Sequence, residues 1–408
     1  MSILGLVGRK PPVLQHNANK LAFEQFSELN ALLYRTNPSE YFRMRLHGVA
    51  LHADQGPESV SLPSGATLWL PAPDTDTRTR YAAMEMVVLF HHVAETLIRA
   101  FLAHRGHPLC PWMEIAKLNN FRKFKEQTDS LVNREAALWD RSQLGQVFLG
   151  GHNAADAEVD ISDEEWEDHL DGLIQLMVYV GSRFLVDAAL YNSAKHGLSS
   201  IAEASMQVRL SQGMNSVQLI DGPVLAYLRT IAKPENPPSE HYEWNLSITG
   251  VSLEADIRVI ELSLLALEAI WGVARRAYTG TSSQTWLLTR AYVDATLLKG
   301  RTKGATEIVH TTNHRMATAS REAAPGRRRI SGIEVQMTGD QYSSEFVNQV
   351  QLFDLDASPP RQVELPLRSG DGRGLTHSNQ HFFPFSPRGS HTRPDPETIV
   401  GDAPISSM

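Results

Sequence analysis

The chain has almost no cysteine: Cys110 is the only one in 408 residues. A single thiol can form neither an internal disulfide nor a cysteine-based zinc cluster, so packing has to hold the fold, and a reducing compartment fits. Cys110 lies in HPLCPW, between two prolines and away from any basic helix end that would stabilise a thiolate, so it reads as a packed residue. No stretch approaches the roughly 20 uninterrupted apolar residues of a membrane helix, and the amino-terminal residues carry no apolar core with a cleavage site. The expectation is a cytoplasmic protein without a membrane partner. Walker and Rossmann glycine fingerprints are missing, as are Gly-x-Ser-x-Gly and His-Glu-x-x-His. His91, His92, Glu95, His104 and His196 could in principle assemble a metal site in a helical bundle, yet no His-Glu-x-x-His run joins them, and the one Glu-x-x-His pair, Glu307 with His310, sits in a basic stretch. No metal and no cofactor is expected.

What is present is ordinary for a globular protein: 42% apolar residues and 21% charged ones. The length allows two or three units. A formal net charge of -8 argues against indiscriminate contact with a nucleic-acid backbone, but the charge is uneven. Residues 299–329 hold eight basic side chains against two acidic ones, a local charge of +6 that leaves -14 elsewhere. A run of this kind reads first as a solvated loop and second as a phosphate-backbone contact, for which Arg301, Lys303, Arg327, Arg328 and Arg329 are the candidate RNA-binding residues.

Along the chain, residues 1–16 form an arm and 17–36 read as a helix. Residues 37–77 read as a connecting or capping region without legible chemistry, with a short strand at 66–70. Residues 80–104 carry an apolar stripe of helical period that Gly106 and Pro108 end, and 113–141 is a more polar helical stretch. After a loop at 145–160, Ser162 and Glu165 have the spacing of a capping box. A long helix is expected from there to His196, with Gly197 as its stop. Residues 201–240 read as helical pieces ending in the proline-rich KPENPPSE, taken as a boundary. Beyond it, 242–251 is strand-like, 253–278 and 286–298 are helical, and 330–337, 346–353 and 363–367 alternate as antiparallel strands do. From 369 onward the composition is that of a disordered tail. The fold class is therefore mainly α: a helical-bundle region over 17–232, then a smaller α+β region with antiparallel strands over 241–368.

Two polar clusters interrupt the apolar stripes. His91 and Glu95 stand one turn apart, where imidazole and carboxylate can hydrogen-bond to each other, an arrangement that serves proton transfer or simply satisfies two buried groups. Asn192, Lys195 and His196 gather at the end of the long helix. There they can bind a phosphate or donate a proton, or else only cap the last carbonyls.

On these residues the chain resembles the HEPN superfamily, the higher eukaryotes and prokaryotes nucleotide-binding domain, over about residues 80–200. HHVAETLIRAFLAHRG is similar to its early helix and YNSAKHG to its arginine-asparagine-spacer-histidine motif. The resemblance implies a metal-independent ribonuclease of a toxin, defence or RNA-processing system, acting on RNA at an often dimeric interface, so a homodimer is expected. Residue by residue, His196 matches the histidine, Asn192 the polar residue after the arginine, and Glu95 the acidic position. The arginine position holds Tyr191. The catalytic set that follows is His196, Asn192, Lys195, Glu95 and His91. The alternative is a non-catalytic helical interaction protein whose polar cluster is structural and whose basic loop meets an acidic partner.

Overall fold

The organising element is a 30-residue helix, α3 (Thr75–His104), and its start follows from one side chain: Asp74 accepts a hydrogen bond from the Thr77 amide at 2.7 Å. The computed structural model describes residues 23–54, 59–61, 63–65, 67–69, 73–212, 215–232, 242–302, 311–316, 333–334, 359–369 and 371–372. Around α3 stand α1 (Phe23–Leu33), α2 (Pro38–Asp54), α4 (Pro111–Lys117), α5 (Phe121–Val132), α6 (Arg141–Phe148), α7 (Ala154–Ala157), α8 (Asp163–Val186) and α9 (Ala188–Ala194). Later come α10 (Leu253–Thr279) and α11 (Arg290–Thr302). Helix makes up more than half of the described residues, so the fold is mainly α, with antiparallel strands following the helical part.

One apolar core joins α2, α3, α5, α6, α8, α10 and α11, with Leu89, Leu97, Phe124, Phe148, Leu173, Leu264 and Ile270 at its centre. Helix α10 comes closest to the neighbouring segment where its side chain is smallest. At Gly272 on α10 a methyl group would run into the Gln284 carbonyl oxygen. By length and composition α3 could cross a membrane, yet 72% of its most apolar window is buried inside the protein, as in a core helix.

The strands are β1 (Ser59–Ser61), β2 (Thr67–Trp69), β3 (Ser200–Gln212), β4 (Asn215–Ala232), β5 (Tyr242–Gly250), β6 (Ser283–Leu287), β7 (Thr311–Met316), β8 (Ile333–Glu334) and β9 (Arg361–Leu365). A five-stranded antiparallel sheet runs in the order β3-β4-β5-β7-β8, and two smaller sheets pair β1 with β2 and β6 with β9. The large sheet lays Leu225 and Tyr227 on Ala83, Val87, Leu190 and Ala194 of α3 and α9.

Several sequence expectations need correction. Residues 37–54 are mostly helix, not a connection: Asn37 accepts from the Ser39 amide at 3.0 Å and Pro38 opens α2, whose Phe42, Leu46 and Val49 face inward. The helical pieces expected over 201–240 are β3 and β4, and the proline-rich break joins β4 to β5, which pair directly from Ala232↔Tyr242 to Val224↔Gly250. Trp286 belongs to a strand, because β6 finds its partner β9 more than 70 residues later. The helix expected to run unbroken to His196 is two helices, α8 and α9, bent by 61°. The polar stretch 113–141 divides into α4, α5 and a short 3-10 turn before α6. Strand expectations at 346–353, and the tail beyond 372, lie outside the described residues.

Candidate functional site

The bend between α8 and α9 builds the site. At Asp187 the amide still donates to the Arg183 carbonyl at 2.8 Å, while the Asp187 carboxylate accepts from Arg183 Nε at 3.1 Å. Arg183 also donates to Asp256 of α10 at 2.6 Å and stands over the Phe90 ring at 4.0 Å. Nearly buried, it is held charged by Asp256 first, which raises its pKa against the cost of desolvation. The turn brings α9 back over the middle of α3.

There His91 is clamped. Its ring stacks on Phe184 with centroids 4.3 Å apart and on Tyr191 at 3.8 Å, the latter pair within 5° of parallel. Burial, then His92, Lys195 and Arg183, pushes its pKa down to about 3, so the ring is neutral. Its Nδ1 has no hydrogen-bond partner. The expected His91–Glu95 bond is not made: Glu95 accepts instead from Arg99 Nε at 2.8 Å, one turn further on, because the guanidinium is held in reach by the Phe124 ring at 4.3 Å and by the Leu118 carbonyl.

His92, which in the sequence stands out only as one of several histidines weighed for a metal, carries the polar chemistry. Its Nδ1 lies 3.0 Å from Nη1 of Arg45 on α2, and its Nε2 lies 3.0 Å from the Tyr191 hydroxyl. A guanidinium offers only donors, so Nδ1 must accept. The proton then sits on Nε2 and is donated to the phenol oxygen. Arg45 in turn donates to Glu85 through Nη2. Burial, then the Arg45 charge, lowers the pKa of His92, which keeps that tautomer neutral. The Tyr191 pKa is raised by burial and then by the nearby Glu95 carboxylate, so the phenol keeps its hydrogen. No described residue accepts that hydrogen.

Lys195 caps α9, its amide bonded to the Tyr191 carbonyl at 2.9 Å and its Nζ 5.1 Å from the Tyr191 ring centroid. Asn192, Lys195 and His196 are exposed at the turn that Gly197 closes with φ 65°. Glu95 and Lys195 both act electrostatically on His92, which places them at one locus, whereas His196 stands just beyond it on the surface. Of the basic-run residues, Arg301 lies in the last turn of α11, and Lys303, Arg327, Arg328 and Arg329 lie outside the described residues. Among the described residues no group of three or more His, Cys, Asp or Glu stands together as metal ligands.

Arg45 is the residue that sequence reasoning missed. The signal was local: Asn37, Pro38 and Glu40 form a helix start, and Arg45 sits one position from the inward row of the helix they open. Compared with known proteins, the chain matches no family model, no curated protein and no solved structure.

Proposed function

We propose that the chain is an RNA-associated protein with a HEPN-like helical core, a divergent metal-independent ribonuclease whose site is the junction of α2, α3 and α9. The observation that carries this reading is the 61° bend, which sets Tyr191 and Lys195 against His92 and Arg45 beside the exposed Asn192 and His196. Cationic groups and neutral donors thus converge at one exposed helix end, where a phosphodiester can be held without a metal. Lys195 and Asn192 hold the phosphate, and His196, free of other described partners, accepts the ribose 2′-hydroxyl proton. The 2′-oxygen attacks phosphorus and the bond to the 5′-oxygen breaks. That oxygen takes a proton from water, leaving a cyclic phosphate and a 5′-hydroxyl. The homodimer implied by the resemblance belongs to the same reading.

The test is single-stranded RNA incubated with the full chain in EDTA at low salt. Cleavage should persist with the chelator and disappear in His196→Ala at unchanged thermal stability. A protein that neither cuts nor binds RNA under those conditions overturns the reading.

A second reading, a non-catalytic interaction protein, is favoured by one observation: Tyr41, Met44 and Leu51 form an exposed apolar row on the outer face of α2. Loss of RNA binding together with self-association or partner capture through that row would support it.

A further inference from the structure

We propose that Tyr191 is the donor through which this site grips a phosphodiester oxygen, and that Arg45 is a positioning residue that aims it through His92. The identity of the ligand rests on the RNA reading above; the aiming does not.

The argument is a count of donors and acceptors. Glu85 accepts from Arg45, Arg45 donates to Nδ1 of His92, and Nε2–H of His92 donates to the Tyr191 oxygen. Each link is forced by the one before, because arginine cannot accept and a neutral imidazole has one donor and one acceptor. The relay therefore ends on a phenol that receives one hydrogen bond and has one hydrogen to give. The carboxylate that acts on the phenol, Glu95, is engaged by Arg99 Nε at 2.8 Å and by its Nη2 at 2.7 Å. The ring itself is immobilised face to face on His91 at 3.8 Å, so the hydroxyl has a defined position. Lys195 beside the ring supplies positive charge to an incoming anion.

At the motif position where the superfamily's arginine is expected, a tyrosine thus stands at the end of a chain that begins in an arginine on another helix. A hydrogen bond received from His92 polarises the O–H and strengthens its donation to an anionic oxygen. The Arg45 guanidinium on another helix thereby acts on the ligand through two side chains. Had Tyr191 served only to cover His91, its oxygen would need no relay behind it.

Tyr191→Phe keeps the stack and removes only the O–H. Binding of a short single-stranded RNA at low salt should weaken by about tenfold, since a hydrogen bond to a charged group is lost. Thermal stability should stay close to that of the unmodified chain. The positioning role is read without any ligand, by the nitrogen-15 resonances of His92. The unmodified chain should show a protonated Nε2 and a bare Nδ1. Arg45→Met should mix the tautomers, and Arg45→Lys, which also offers only donors, should restore the single one.

Equal RNA affinity in Tyr191→Phe overturns the donor role, and an unchanged His92 tautomer in Arg45→Met overturns the positioning role. If the unmodified chain ignores RNA yet binds inorganic phosphate in a Tyr191-dependent way, the donor stands and the RNA reading alone falls. If it binds neither, the donor role falls with it.

Discussion

The imidazole of His91 lies flat against the Tyr191 ring, centroids 3.8 Å apart and planes 5° from parallel, joining α3 to a helix that begins 97 residues later. The contact is apolar in character although both side chains are polar, and the buried Nδ1 of His91 gains nothing from its burial. His91→Phe should preserve both stacks and remove the unsatisfied nitrogen. Stability should hold or rise by about 1 kcal/mol, the lower end of the cost of an unmade buried hydrogen bond. Urea unfolding measures this, and a loss of more than about 1 kcal/mol would mean that the ring makes a polar contact the fold needs.

Three buried histidines set a pH dependence. The pKa of His91 is pushed down to about 3, and those of His104 and His169 to about 4, by burial in each case. Their folded values lie below the unfolded value of 6.5, so the unfolded chain binds protons first. The stability they confer is whole above pH 6.5 and is lost as the pH falls toward the folded values. At pH 5 each costs up to about 2 kcal/mol, at 1.36 kcal/mol per pH unit. Melting temperatures at pH 7.5, 6, 5 and 4.5 should fall in that order, and His91→Phe should flatten part of the decline. A chain equally stable at pH 7.5 and 5 would contradict the buried neutral rings.

Arg183→Met leaves Asp256, 7% exposed, without its cation. Breaking one side of a buried pair typically costs 3 to 5 kcal/mol, about what is expected here. Adding Asp256→Asn should recover much of it. Chemical denaturation of both variants decides the matter: if the double variant is as unstable as the single one, packing of the guanidinium on Phe90 outweighs the charge.

Two glycines give opposite expectations for the same substitution. At Gly48 on α2 nothing lies near an added methyl, so Gly48→Ala should stabilise by about 1 kcal/mol through helix propensity. At Gly272 the Gln284 carbonyl blocks it, and Gly272→Ala should destabilise by about 1 to 3 kcal/mol. Thermal unfolding with the same sign at both sites would refute the close approach of α10 to β6.

What was legible in the sequence was local. Ser162 and Glu165 announce a capping box, and each bonds the other's amide, at 3.1 and 3.0 Å. The stripes of α3 and α10 follow from their own periodicity. The strands β3 and β4 were obscured by Gly222 and Pro223 in the middle of β4, where a register shift lets a proline sit in a strand. Their best signal was Gly213-Met214, the two residues between the paired Gln212 and Asn215. The bend at Asp187 leaves no local trace, because Arg183 and Asp187 are spaced as any helical ion pair is. The candidate site was half legible: Lys195, Glu95 and His91 gather where α3 meets α9, but Arg45 arrives from a helix whose contacts are non-local, and periodicity carries no information on which helices meet.

Near the far end of α6, the carbonyl of Gly150 takes hydrogen bonds from Arg276 and Arg368, 126 and 218 residues further along, and Arg276 is also paired with Asp371 at 3.3 Å. During synthesis this corner stays incomplete for most of the time that the chain is emerging. Arg276, 2% exposed in the finished fold, waits for its counterion until residue 371 has left the ribosome, with β9 arriving just ahead to close on β6. The last strand is thus a latch on the nascent protein: stalled translation or proteolytic trimming before residue 361 would leave Arg276 facing the core without its counterion Asp371.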